Sequence, residues 1–227
     1  MKRYFFHFIF LTILSLTVSG CETMPFNKVP TASLALRELL ELSSERAADR
    51  LSVQGAYEES SEYNIGVPDA IAGTIGMLKV FGFDDVIGTF EEKLNRGAEL
   101  AAKEAKTLLM EEAKNMQLSD ALTVLRGGDH AATDYFKERT RDKLRSRYQD
   151  LIKDKLENLD FYSKYQQFSS AYKLMPIKDK PNLDLEAHVV DLGLDALYQQ
   201  MAKEEANIRE NPAELGSALL GSFLKQP

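Results

Sequence analysis

Few side chains in this sequence have the type and spacing to do chemistry. Cys21 is the only cysteine. It could serve as a core thiol, a nucleophile, a metal ligand or an attachment point. The histidines beyond the first twenty residues are His130, with Asp134 one turn on, and His188, with Asp191 three residues on. One imidazole among scattered carboxylates specifies a metal poorly, so no metal site and no cofactor are expected. No nucleophile elbow, phosphate-binding glycine loop, dinucleotide fingerprint or zinc-protease motif occurs. The most suggestive spot is Gly127-Gly128-Asp129-His130, with Thr133 just beyond. Free backbone N–H groups at a helix start attract anions, although Asp129 could fill that place itself as an N-cap. A structural turn is therefore weighed against a ligand or anion site at Gly127, Gly128, Asp129, His130 and Thr133. Lastly, Lys137, Arg139, Arg141, Lys143, Arg145 and Arg147 form a basic run. Spaced by two, they fall about 200° apart on a helix and scatter around it. A salt-bridged solvated helix is the default, with docking to anionic lipid headgroups or to an acidic partner as the alternative.

The cysteine is explained by what precedes it. Lys2 and Arg3 open the chain, and Tyr4–Val18 is apolar or hydroxylated apart from His7. That run suits a signal-peptide core and falls short of the roughly twenty residues that span a bilayer. Val18-Ser19-Gly20-Cys21 resembles the lipobox of bacterial lipoproteins, in which the thiol receives a diacylglyceryl group. On this reading residues 1–20 are a cleaved leader, 21–32 a lipidated tether with Pro25 and Pro30, and 33–227 a folded domain. The resemblance makes Cys21 a membrane anchor and takes the thiol out of redox or catalytic use. An aspartate directly after such a cysteine tends to retain lipoproteins at the inner membrane. Glu22 instead implies the outer membrane of a two-membraned host, on its periplasmic side.

Composition narrows the rest. The formal charge of the whole chain is −7, and losing Lys2 and Arg3 makes the remainder more acidic. An acidic domain argues against nucleic-acid binding and against a polybasic grip on lipid. Tryptophan is absent.

Helical periodicity runs almost throughout. Leu36, Leu39, Leu40, Ala47 and Leu51 recur at three- and four-residue spacings. Residues 54–66 read as a loop. Pro68 opens a helix that stops at Gly82; Gly73 and Gly76 give it a small-residue face. Asp84 and Asp85 start a helix that runs to Met116. Ser119 reads as the cap of a short helix ending at Gly127-Gly128, and Asp129 as the cap of a long one continuing to Leu159. Helices over 160–175 and from Asp184 past Met201 follow. Asn211-Pro212-Ala213-Glu214 has the residues of a capped helix start. No convincing strand alternation appears. The expectation is an all-α protein, an irregular multi-helix bundle in one domain.

Three segments together resemble the bacterial family catalogued as domain of unknown function 4197. They are Leu94-Asn-Arg-Gly-Ala-Glu99, Leu125-Arg-Gly-Gly-Asp-His-Ala-Ala-Thr-Asp-Tyr-Phe136 and Ile208-Arg-Glu-Asn-Pro-Ala213. The likeness covers roughly Ser33 to Leu224. It implies a helical, exported protein and supplies no catalytic residues. The sequence thus leads to a lipid-anchored outer-membrane protein whose domain binds an envelope partner or scaffolds the envelope without catalysis. An alternative is a carrier of a lipid or other apolar ligand between the helices of the 65–90 region. A third is an envelope hydrolase centred on Asp129, His130 and Asp134.

Overall fold

The computed structural model describes residues 28–68, 75–80, 82–174, 176, 180 and 184–224. The leader, Cys21 and Glu22 lie outside these residues, as do Ile71 and Gly73. Helix α1 spans Lys28–Leu51 and so begins inside the segment assigned to the tether. Pro30 falls in its first turn, where a missing N–H removes no intrahelical bond. The apolar stripe of α1 is buried as its spacing requires, with Leu36, Leu39, Leu40 and Ala47 fully enclosed.

Irregular chain follows to Val67, with Gly55 at φ +86°. Then come α2 (Ile75–Val80) and α3 (Asp84–Asn115). Gly82 at φ +80° ends α2, and the Phe83 N–H returns to the Leu78 carbonyl at 3.0 Å, closing the helix as a left-handed terminal glycine does. Asp84 and Asp85 then occupy the first turn of α3, where negative charge opposes the helix dipole. Short α4 (Ala121–Leu125) leads to α5 (Ala131–Asn158). Ala132, Phe136, Thr140, Leu144, Tyr148, Ile152 and Leu156 are all buried along α5, one every fourth residue, which keeps one face inward.

Asp160 at φ +54° reverses the chain into α6 (Phe161–Leu174). The Asp184 carboxylate accepts the Ala187 N–H at 2.9 Å and caps α7 (Leu185–Glu210). Two short helices close the chain, α8 (Pro212–Leu215) and α9 (Ala218–Leu224).

The four long helices make a ring in which α1 packs on α3 and α7, and α5 packs on the same two. Paired contacts along each seam give their directions: Ser33 reaches the Leu118 carbonyl while Asp49 meets Lys106, Lys143 meets Glu112 while Lys155 meets Glu104, and Lys137 meets Asp195 while Arg145 meets Asp191. Rising numbers on one helix thus face falling numbers on the next. The bundle therefore runs alternately up and down around one core, an all-α single domain among the described residues. Tyr57, Tyr148, Tyr198, Phe90, Phe136 and Phe161 lie fully inside it, and each of the three phenylalanines contributes about 1.5–3 kcal/mol of burial.

Candidate functional site

The turn between α4 and α5 is built by a helix more than seventy residues away. Glu205 on α7 is fully buried. Its carboxylate accepts the Ala132 N–H at 2.8 Å and the Thr133 N–H at 2.7 Å, the orphan donors at the start of α5. Arg209, one turn on, donates to the same carboxylate from Nε at 2.8 Å. Its other nitrogens reach back to the Leu125 carbonyl at 2.8 Å and the Val124 carbonyl at 3.3 Å. One ion pair thus holds the last carbonyls of α4 and the first amides of α5.

This changes the reading of the turn. Asp129 does not cap α5; it is exposed, and His130 occupies the N-cap position without a side-chain cap bond. The anion that the helix start attracts is supplied from within, by Glu205. A Cβ on Gly127 would come within 2.5 Å of the Ala131 Cβ and 3.1 Å of the Val124 carbonyl oxygen, so glycine is required there. A Cβ on Gly128 would meet nothing within 4 Å, and no steric reason for that glycine is evident. The Thr133 hydroxyl is buried without a hydrogen-bond partner. His130 points its Nδ1 at the Ala202 carbonyl, 3.1 Å away. Asp129, His130 and Asp134 are all solvent-exposed, so the grouping needed for hydrolysis is not enclosed in a site. Beside the turn, Arg126, Gly127, Asp129, Glu210 and Phe223 line an open cleft of about 530 Å³.

The second motif segment does similar work. The Asn95 carboxamide accepts the Ile65 N–H at 2.8 Å and donates to the Ile65 carbonyl at 3.1 Å. Glu99 accepts the Gly55 N–H at 2.8 Å and pairs with Arg96 at 2.9 Å. Gly97 lets α5 approach, since a Cβ there would sit 2.9 Å from a Leu156 methyl. Together they fix the 52–67 segment, whose Tyr57 and Ile65 are fully buried although the sequence reads as a loop. His188 is held in the same region, its Nε2 lying 3.0 Å from the Gly66 carbonyl.

The basic run is spent on its neighbours. Arg145 clasps Asp191 with two bonds at 2.7 and 3.1 Å. Lys137 and Arg141 share Asp195, and Lys143 and Arg147 share Glu112. Arg139 lies over the Tyr135 ring at 3.7 Å. Burial pushes the Asp195 carboxyl upward, but the bonds from Arg141 and Lys137 outweigh it and hold the group below the ordinary aspartate range. The scatter seen in the sequence therefore serves two flanks, one against α3 and one against α7.

Two further clefts open on the surface. One, of about 280 Å³, lies between α3 and α6 with Phe83, Val86, Phe90, Phe168 and Lys164 in its lining. The other, of about 420 Å³, lies between α1 and the end of α7. Among the described residues no cluster of three or more His, Cys, Asp or Glu side chains is placed to hold a metal ion. Nor is any described helix long and apolar enough to cross a membrane.

Sequence reasoning missed Glu205, although Glu205 and Arg209 stand four apart in the favourable acid-first order. That local signal gave no hint of the turn they grip. A family model described as protein of unknown function (DUF4197) matches residues 28–223, and the chain belongs to that family. No curated protein and no solved structure matches it.

Proposed function

We propose that this member of the DUF4197 family is a lipid-anchored outer-membrane protein, facing the periplasm, that acts by binding rather than by catalysis. The observation that carries the binding reading is the use made of the motif segments. Glu205, Arg209, Asn95 and Glu99, the side chains best suited to chemistry near them, are occupied holding backbone at turns. The anchor rests on Val18-Ser19-Gly20-Cys21 behind its apolar leader. Because α1 starts at Lys28, only Glu22–Asn27 separates the anchor from the bundle, a reach of at most about 25 Å. The domain then works within a short distance of its membrane, on a partner or on the envelope itself. Two or more acyl chains anchor stably where one does not.

The test is metabolic labelling with an alkyne palmitate analogue in the native host, followed by membrane fractionation. The wild-type chain takes the label and sediments with the outer membrane; Cys21→Ser takes none and is released as a soluble or unprocessed form. Unlabelled wild-type protein, or label persisting in Cys21→Ser, rejects the anchor.

A second reading, carriage of an apolar ligand, is favoured by the cleft lined by Phe83, Phe90 and Phe168. Phe90 and Phe168 meet edge to face at 5.2 Å between ring centroids, and Lys164 is also in the lining. Native mass spectrometry of gently purified protein decides it: a retained lipid-sized mass supports carriage, and a clean apo mass removes it.

A further inference from the structure

One end of the bundle gathers the start of α1, the end of α3 and the turn from α4 into α5. The Ser33 hydroxyl donates to the Leu118 carbonyl at 3.3 Å, and the Tyr135 hydroxyl to the Gln117 carbonyl at 3.3 Å. The end of α7 joins them through Arg209, which holds the Leu125 and Val124 carbonyls. We infer that this end is the surface on which the domain rests against the neutral, zwitterionic headgroup layer of its own membrane. The inference rests on the lipid anchor proposed above and adds which face that anchor presents.

The length of the tether carries the argument. Cys21 stands seven positions before Lys28, the first residue of α1, which allows at most about 25 Å of chain. The 32 residues of α3 run from this end of the bundle to the other and span about 48 Å. The anchor therefore keeps the near end within reach of the bilayer, while the start of α3 lies about twice the tether length further along. Apolar exposure does not choose between the ends by itself. Leu34, in the second turn of α1, is 53 % exposed, and Phe223 and Leu224 are half-buried beside Arg126 in the open cleft. At the far end Val80 is 85 % exposed. What separates the two ends is tethering. A short linker holds what it joins at an effective concentration on the order of millimolar, so a weak contact at the near end is populated where an equal one at the far end is not. Charge sets the kind of lipid. Arg126 is exposed, and so are Asp129 and Glu210 in the same cleft. Both signs on one surface match a headgroup that carries ammonium and phosphate together, with no net pull toward anionic lipid. The flanks of the bundle compete poorly for the bilayer. Ion-paired seams run along them, such as Lys106 with Asp49 and Arg147 with Glu111, and these lose hydration against lipid with little apolar burial in return.

The experiment places one dye at either end of the full lipidated chain. Cys21 is the only cysteine and is consumed by the lipid, so an introduced cysteine is the one free thiol. Gly128→Cys marks the near end and Gly88→Cys the far end; both positions are exposed, and a Cβ at either meets nothing within 4 Å. Each labelled protein is reconstituted in vesicles of phosphatidylethanolamine and phosphatidylcholine containing a nitroxide-headgroup lipid as quencher. The dye at Gly128 loses most of its emission and the dye at Gly88 keeps it. Adding Leu34→Asp to the Gly128→Cys chain restores part of that emission, and unchanged melting shows that its fold is intact. Equal loss at both positions, or greater loss at Gly88, overturns the inference. So does a loss at Gly128 that Leu34→Asp leaves unchanged, or one that appears only when anionic phosphatidylglycerol is added. Protein that fails to associate with the vesicles at all brings down the anchor and this inference with it. Palmitate labelling tells that failure apart from failure of the face alone.

Discussion

Replacing Glu205 by alanine should be among the most damaging single changes in the domain. The carboxylate is fully buried and receives two backbone N–H groups, at 2.8 and 2.7 Å, together with the Arg209 guanidinium. The Arg209 side chain is itself only 10 % exposed. Its removal leaves a buried cation without its partner, which costs about 3–5 kcal/mol. Two unsatisfied amides remain beside it. Taking about 4 kcal/mol, the melting temperature of a domain this size falls by roughly 8–16 °C. Urea unfolding should show a lower midpoint with an unchanged slope. Hydrogen exchange should quicken first at Ala132 and Thr133, whose amides lose their acceptor. The double variant Glu205→Ala/Arg209→Met should cost less than the sum of the singles, because the stranded charge is gone. A loss below about 1 kcal/mol, or strict additivity, would refute the clamp, since an interaction of that size describes an exposed pair.

Four other outcomes follow from the geometry. Gly127→Ala should destabilise by about 1–3 kcal/mol through overpacking, because its Cβ meets Ala131 and the Val124 carbonyl oxygen; Gly128→Ala should be near neutral in the same urea titration. Gly193→Ala should destabilise similarly, its Cβ falling 2.8 Å from the Tyr148 hydroxyl oxygen, and Tyr148→Phe in the same chain should restore part of the loss. The Asp195 carboxyl is held below its unfolded value, so its contribution is present above about pH 4 and is lost as pH falls through the depressed value. Asp195→Asn should therefore flatten the acid limb of stability against pH, and parallel wild-type and variant curves would contradict the pairing. On the alkaline side burial raises Tyr198 to about 12 and raises Tyr57. Stability from these phenols is present below about pH 10 and lost as pH rises through the folded values, so tyrosinate absorbance should appear together with unfolding.

The elements that local chemistry defines were legible. Asp84 and Asp85 mark the start of α3, Asp184 caps α7 as its position ahead of an apolar run implies, and the fourfold spacing on α5 gives its buried face. Caps supplied from a distance were not. Ser119 bonds its neighbour Asp120 instead of a helix amide, and Asp129 gives way to Glu205. Asn211 has every local feature of a cap, yet α8 lasts only to Leu215. Ser217 then takes the Leu219 and Leu220 amides at 3.1 and 3.3 Å. A tertiary carboxylate displaces a local one where it can bring an arginine with it, and a sequence window cannot contain both partners. The buried segment around Tyr57 and Ile65 was missed for the same reason: Asn95 and Glu99, which hold it, lie on another helix.

That division also bears on where function resides. A residue pattern shared across a family invites the search for an active site, and the Gly-Gly-Asp turn was the natural first candidate. Once Gly127 is assigned to steric fit and the start of α5 to Glu205 and Arg209, the turn is largely accounted for by folding. The anion-binding capacity of its helix is already filled. Any external anion there would have to displace a buried carboxylate that is tied to a buried guanidinium, at a cost of several kcal/mol. Recognition is better placed where surface side chains have no partner among the described residues, as at Arg126 and Asp129 beside the open cleft. The same logic makes Asp129→Ala and Glu205→Ala an informative pair. The first should leave the urea midpoint nearly unchanged, because Asp129 is exposed and caps nothing, and the second should lower it. If Asp129→Ala instead lowers the urea midpoint as Glu205→Ala does, the local carboxylate caps α5 after all and the assignment of that helix start to Glu205 fails.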